Sequence, residues 1–165
     1  MRLRTMLSTI VCLSLASSVM AADKLEVGHA APGLDIEEWV KGSETSITNG
    51  SVYVVEFWAT WCAPCRKAIP HLTKLQDYYG DDELKVIGVS TEELDTVKTF
   101  VKRQGERMNY TVAVDRRGAT ERAWTRAAKL DGIPAAFIID RNGKIQFIGN
   151  PHDDEFDMTL DLVIN

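Results

Sequence analysis

Hydrophobic and polar positions alternate along the chain in blocks that predict strands and helices in turn. Residues 51–58 are apolar on both faces and predict a central strand, residues 84–89 predict a second buried strand, and residues 111–114 predict a short strand. Apolar residues at helical spacing predict four helices, at 62–79 with a kink at Pro70, at 94–104, at 119–128, and around Phe156, Leu160 and Val163. Residues 30–50 show no clear period and are rich in loop-forming residues.

The order of these elements predicts an α/β fold. Two short apolar runs, 135–139 and 145–148, flank Asn142-Gly143, the strongest short signal for a β-hairpin. The earlier strands alternate with helices, which is typical of parallel strands joined by crossovers. We therefore expect a mixed central sheet, mostly parallel with one antiparallel edge, and helices on both faces.

The N-terminus predicts export. Positively charged residues come first, then an apolar stretch too short for a confident membrane span of about 20 residues, and then small residues at Val19 and Ala21. We expect residues 1–21 to be a signal peptide and residues 22–165 to form one domain, placing the mature protein in the periplasm of a double-membraned bacterium. A retained N-terminal anchor facing the periplasm is the alternative.

Composition narrows the class of function. The 165 residues are 45% hydrophobic and 26% charged, as in a globular domain that buries a core. The net charge of −5 has the wrong sign for a protein whose main partner is a phosphate backbone. We therefore expect no nucleic-acid partner and no stable membrane insertion of the mature chain.

Candidate chemistry concentrates in residues 61–65, Trp-Cys-Ala-Pro-Cys, where the first long strand meets its helix. A helix N-terminus offers free N–H groups and a positive partial charge, which favour a thiolate at Cys62. Pro64 fits the first helical turn, where a missing N–H costs nothing. Cys65, one turn further in, would be the resolving thiol.

Two other readings of the cysteine pair are weaker. A structural disulfide across two residues closes almost no loop and therefore stabilises little. A tetrahedral zinc site needs two further ligands, and none of the three histidines has ligand spacing to the cysteines, so we predict no metal. The histidines are interpreted as surface or packing residues.

The motif and its surroundings resemble the thioredoxin superfamily, most closely its exported TlpA/ResA-like branch. Residues 54–65 (VVEFWATWCAPC) resemble the active-site segment, 28–32 (GHAAP) the entry motif, and 132–134 (GIP) the G-x-P motif. The similarity covers about residues 27–149. It implies a thioredoxin fold in which residues 94–114 form an extra helix-strand insertion. It also implies a thiol:disulfide oxidoreductase that needs no cofactor, acts on protein disulfides or dithiols, and is re-reduced by a membrane-bound thiol donor of the disulfide-bond system.

Glu56 is the third candidate catalytic residue, with Cys62 and Cys65. A carboxylate between apolar neighbours on a buried strand is costly unless it has a partner or a role. Its position, six residues before Cys62, matches the buried acid of thioredoxin, which the resemblance implies carries a proton to or from the resolving cysteine. Burial should raise its pKa toward working pH. The alternative is a glutamate that reaches solvent or a salt bridge.

The resemblance also implies the substrate-binding residues. Pro134 matches the cis proline that faces the two cysteines, and the backbone of Ile133 should pair with an extended substrate strand. Trp61, Ala63 and Pro64 should shape the surface beside Cys62.

A reductase is the expected function, although similar motifs within this fold span roughly −270 to −120 mV. Two alternatives remain open. A thiol peroxidase would need the pattern P-x-x-x-[ST]-x-x-C, with proline at Val55 and Ser or Thr at Ala59, and neither is present. A copper carrier of this fold would have a C-x-x-x-C pair and a distant histidine, whereas the spacing here is C-x-x-C.

Overall fold

The computed structural model describes residues 24–48 and 50–165. The predicted signal peptide, residues 1–21, lies outside this part of the chain, and its cleavage stays a prediction. Within the described residues, no helix has the length and apolar character needed to cross a membrane.

A six-stranded mixed sheet forms the centre of the fold, in the order β1-β4-β3-β2-β5-β6. Its strands are β1 Ile36–Lys41, β2 Val52–Phe57, β3 Leu84–Ser90, β4 Thr111–Asp115, β5 Ala135–Ile139 and β6 Ile145–Gly149. The main helices are α1 Ala63–Glu83, α2 Leu94–Gln104 and α4 Asp154–Ile164, with a short α3, Ala119–Glu121, between β4 and β5. The predicted α/β fold with an extra helix-strand unit, here α2 and β4, is confirmed.

The sheet has two antiparallel edges, which corrects the prediction of one. Strands β2, β3 and β4 are parallel, and the hairpin of β5 and β6 joins β2 antiparallel, as expected. At the other edge, β1 pairs antiparallel with β4, through a register that shifts twice. The sequence did not predict β1 because its side chains are exposed or only half-buried, so apolar residues do not mark the strand.

Strand β2 divides the core into two layers, because its side chains alternate between the faces of the sheet. Val52, Val54 and Trp58 face the cluster that includes the buried residues of α1, α2 and α4. Tyr53 and its odd-numbered neighbours face a second cluster with Trp124. Glu56 shares its parity with Val54 and Trp58, so it lies on the face that carries α1.

Helix α1 carries the cysteines at its start and is anchored to the sheet near its end. Gly80 has a non-helical backbone (φ 72°, ψ 169°), so regular helix stops at about the predicted residue 79. The buried Gln76 side chain donates to the Leu84 carbonyl and accepts the Val86 N–H. These two bonds bind the C-terminal part of α1 to β3. Pro70 lies inside the helix, and the kink expected there stays a prediction.

The predicted helix at 119–128 is present in a different form. One turn of α-helix, α3, leads into a π-helix at Arg122–Arg126. Asp115 at the end of β4 accepts the Thr120 and Glu121 N–H groups at 2.9 and 2.8 Å and thereby fixes the start of α3. The wider π turn directs the buried Trp124 against Phe137, with ring centroids 5.1 Å apart.

Candidate active site

Cys62 and Cys65 form a disulfide at the junction of β2 and α1. Their Cα atoms are 5.3 Å apart. Cys62 is the N-cap of α1, and Pro64 occupies the first helical turn, where a proline is tolerated. The placement predicted from the motif is confirmed.

The sulfur of Cys62 lies at the positive end of the helix dipole. It accepts the backbone N–H of Cys65 at 3.2 Å, which is the kind of contact that stabilises a thiolate. Cys65 is fully buried and Cys62 is 3% exposed. Both cysteines are thus buried in the disulfide form, and it is the N-cap position of Cys62 that favours the order proposed from the sequence, in which Cys62 attacks and Cys65 resolves.

The loop before Cys62 is held by Glu92, a residue that the sequence did not single out. Its carboxylate accepts the Thr60 N–H at 2.6 Å and the Thr60 hydroxyl at 2.8 Å. On the other side, Arg66 donates to the Thr60 carbonyl at 2.8 Å. Glu92 and Thr60 are 32 positions apart in the sequence, so no local pattern predicts the contact between them.

Ile133 and Pro134 lie beside the dithiol. The peptide bond between them is cis, and the Ile133 carbonyl oxygen is 3.8 Å from Cys62 Sγ. Ile133 is half-buried, at the end of the loop that leads into β5. Its backbone therefore borders Cys62 Sγ, where the resemblance implied that substrate would pair.

An exposed rim surrounds the cysteines. Trp61 is 70% exposed, and Ala63 and Pro64 are also exposed. Trp61 and Ile133 line a cleft of about 240 Å³ whose wall includes Trp58 and Val89 and whose edge carries Glu92 and Glu121. Of the rim residues predicted from the sequence, Trp61 and Ile133 share this cleft, whereas Ala63 and Pro64 do not line it.

Glu56 is completely buried and has no hydrogen-bond partner among the described residues for either carboxylate oxygen. Desolvation raises its pKa from the ordinary 4.5 to about 8. The alternative of a glutamate in solvent or in a salt bridge is wrong. The raised pKa places its titration near neutral pH, where an acid-base group is useful.

His152 is a second neighbour that sequence reasoning missed. Its Nε2 is 3.0 Å from the Pro64 carbonyl oxygen, which accepts a hydrogen bond when that nitrogen carries a proton. The histidine comes from the loop before α4, 88 residues from Pro64. Only the tertiary fold brings it to the active-site helix.

Metal binding has no preformed site in the described ranges, 24–48 and 50–165. No group of three or more His, Cys, Asp or Glu side chains there is placed to hold a metal ion.

The sequence pattern of the AhpC/TSA family matches residues 27–148. The chain belongs to the AhpC/TSA family. Protein FixW of Rhizobium leguminosarum is 29% identical over 78% of this chain, and the match spans 62% of FixW, less than two thirds of its length. Thiol-disulfide oxidoreductase ResA of Bacillus thuringiensis subsp. konkukian is 29% identical over 74% of this chain and 69% of ResA.

A solved structure of a similar protein has the same fold. The thiol-disulfide isomerase of Corynebacterium glutamicum is 27% identical and superposes with a TM-score of 0.68, over 82% of this chain and 97% of that protein. Together with the paired cysteines, these matches confirm the predicted resemblance. They place the chain among thiol-disulfide oxidoreductases of the thioredoxin-like fold.

Proposed function

We propose that this AhpC/TSA-family protein reduces protein disulfides outside the cytoplasm. The observation that carries the proposal is the Cys62–Cys65 pair itself, with Cys62 Sγ at the N-terminus of α1 beside the Ile133 carbonyl and Cys65 buried behind it. Cys62 acts as the nucleophile, Cys65 as the resolving thiol, and Glu56 as the acid-base group.

The reaction proceeds by two thiol-disulfide exchanges. The Cys62 thiolate attacks one sulfur of a substrate disulfide, forming a mixed disulfide and releasing the other substrate sulfur as a thiolate. Cys65 then attacks Cys62 Sγ, which releases the second substrate sulfur and leaves the Cys62–Cys65 disulfide. Two electrons pass from the protein to the substrate, so no further cofactor is needed.

Glu56 handles the proton of the buried thiol. Cys65 must lose its proton before it attacks, and it must gain one when the disulfide is later reduced. Glu56 lies on the face of β2 that packs against α1, and its raised pKa of about 8 lets it take or give a proton near neutral pH. A carboxyl with its ordinary pKa would hold too few protons to serve the reverse step.

Substrate binds along the exposed rim. An extended substrate segment pairs with the backbone at Ile133, in the manner of an added β-strand, and lies over Trp61, Ala63 and Pro64. The cleft of about 240 Å³ beside Trp61 receives a substrate side chain next to the reacting cysteine.

The surroundings of Cys62 favour a reductase over an oxidant. A strongly stabilised thiolate makes the reduced form stable and the disulfide oxidising. Among the described residues, no cationic side chain is hydrogen-bonded to Cys62 Sγ, whose donor is the Cys65 N–H. The charged residues that line the cleft beside Trp61, Glu92 and Glu121, are both acidic and bring no cation to it. The spent disulfide is then reduced by a membrane-bound thiol donor.

The reduction potential tests the direction. The protein is equilibrated with thiol-disulfide buffers of graded potential, and free thiols are trapped and counted by mass. A midpoint at or below about −230 mV supports a reductase, and one near −120 mV contradicts it.

A pair of cysteine variants tests the order of attack. Cys65→Ser should trap substrates as mixed disulfides on Cys62, because the resolving thiol is gone. The matched variant Cys62→Ser should trap none, since Cys65 is fully buried. Equal trapping by both variants would contradict the assigned roles.

A peroxide assay separates this function from a thiol peroxidase. Val55 and Ala59 are both buried, and neither supplies the proline or hydroxyl of the peroxidatic pattern. We expect no thiol-dependent consumption of hydrogen peroxide above the rate of a simple dithiol. Turnover at enzymatic rates would favour the peroxidase instead.

A further inference from the structure

Buried polar atoms without a hydrogen-bond partner are confined to three side chains in the described part of the protein. They are both carboxylate oxygens of Glu56, the indole Nε1 of Trp58 and the hydroxyl of Tyr110. Folded proteins satisfy the great majority of buried polar groups, so exceptions need a physical explanation. Here two of the four unpartnered atoms belong to Glu56, the proposed acid-base residue, and the other two belong to side chains near it.

The three side chains converge over Gly88 in β3. Glu56 is the register partner of Gly88 across β2 and β3. A Cβ atom at Gly88 would lie 3.1 Å from Trp58 Nε1 and 3.1 Å from Tyr110 Cε2. Burial and the charge of Glu56 both raise the pKa of Tyr110, which indicates that the carboxylate and the phenol are close in space.

Their hydrogen-bonding groups are complementary. The indole N–H of Trp58 can only donate, the ionised Glu56 can only accept, and the Tyr110 hydroxyl can do both. No direct hydrogen bond joins any pair of them. A buried water needs two to four polar partners, and these three side chains supply four unpartnered polar atoms near Gly88. Because a Cβ at position 88 would come within 3.1 Å of both the indole and the phenol, only glycine allows these side chains to lie this close to β3.

We propose that Glu56, Trp58 and Tyr110 form a buried water-binding site over Gly88. Through the bound water, Trp58 and Tyr110 act as positioning residues that donate hydrogen bonds to the ionised carboxylate of Glu56. The influence of this site on catalysis rests on the acid-base role of Glu56 proposed above. The existence of the water site does not depend on that role.

This arrangement gives the inserted helix-strand unit a role in the chemistry. Tyr110 immediately precedes β4, and α2 and β4 form that unit. Donors to a carboxylate favour its charged form and thus oppose the effect of burial. The bound water would give the buried Glu56 carboxyl a partner with which to exchange its proton.

The titration of Glu56 in the disulfide form tests the site without any turnover. Infrared difference spectra against Glu56→Gln assign the carboxyl signal of Glu56 in each variant. Tyr110→Phe removes only the hydroxyl, and we expect the pKa of Glu56 to rise by about one unit, the size of a lost hydrogen bond to a charged group.

Tyr53→Phe is the matched control. Tyr53 is a buried tyrosine on the same strand as Glu56, but it faces the second core cluster, and its hydroxyl bonds to Ser46 and Thr48. This variant should leave the pKa of Glu56 unchanged. A shift in Tyr110→Phe alone supports the proposal. No shift, a downward shift, or equal shifts in both variants would overturn it.

Two further measurements keep the proposal testable if Tyr110→Phe does not fold. Gly88→Ala places a methyl group over the site and should also raise the pKa of Glu56. A crystal structure of the unmodified protein that resolves water should show one within hydrogen-bond distance of at least two of the three residues, and a site without one refutes the proposal. Normal exchange rates in Glu56→Gln would instead refute the catalytic role and leave the water site standing.

Discussion

At the scale of single residues, burial without a partner distinguishes Glu56 from the other carboxylates of the described chain. Desolvation is the one resolved cause of its raised pKa, with no cation to offset it. Asp115 is also buried, but it accepts two backbone N–H groups. Glu56, in contrast, contributes no hydrogen bond to the fold, in keeping with the acid-base role proposed above.

The buried carboxyl should make stability depend on pH. Below pH 4.5 Glu56 is protonated in both folded and unfolded chains. Between pH 4.5 and about 8 the unfolded chain ionises first, so stability falls as pH rises, and the loss is complete above the folded pKa. The total loss is about 4 to 5 kcal/mol.

Urea unfolding of the disulfide form at several pH values checks this prediction. Glu56→Gln should lack the decline and should exceed the unmodified protein in stability at pH 8. Glu37→Gln, at an exposed position on β1, should keep the decline. Parallel curves for Glu56→Gln and the unmodified protein would show that Glu56 titrates normally.

Trp61 should matter for substrates and not for folding. Because its side chain is 70% exposed, Trp61→Ala should change the free energy of unfolding by less than about 0.5 kcal/mol. It should lower kcat/KM for a protein disulfide while the rate with a small disulfide reagent stays the same. Equal losses with both substrates would place its effect on the cysteines themselves.

At the scale of elements, the π-helix at Arg122–Arg126 covers the face of the sheet opposite α1. Trp124 is fully buried against Phe57 and Phe137, and its indole N–H donates to the Gly33 carbonyl at 3.2 Å. One side chain thus joins the π-helix, two strands and the N-terminal segment.

Trp124→Ala should therefore be strongly destabilising. We expect a loss of about 3 to 5 kcal/mol in the free energy of unfolding, the range for removing a fully buried aromatic side chain. Urea unfolding measures it, with Trp61→Ala as a tryptophan control at an exposed site. Similar small effects in both variants would mean that the second core cluster contributes little.

At the scale of the whole molecule, export is the prediction that lies outside the described residues. When the full chain is expressed in a double-membraned bacterium, we expect the protein in the periplasmic fraction with Ala22 as its first residue. Mass spectrometry of the intact protein identifies the N-terminus. A full-length protein in the membrane fraction would support the retained anchor.

Sequence alone located most of the fold and the dithiol. Central strands such as β2 and β5 are short apolar runs bounded by polar residues, and the cysteine motif at a strand-helix junction is a local signal. The half-exposed β1 and the π-helix were not predicted, because an edge strand and a change of helical pitch depend on neighbours distant in the chain.

The residues of the candidate site also fall into two groups, those that the sequence identified and those that only the tertiary structure brought together. Cys62, Cys65 and Glu56 could be named from the sequence, because motif spacing and strand parity are local properties. Only the tertiary structure brought Glu92 to the loop before Cys62, His152 to Pro64, and Tyr110 and Gly88 to Glu56. The pKa of Glu56 was also decided there, because desolvation depends on how completely distant segments exclude water from a side chain.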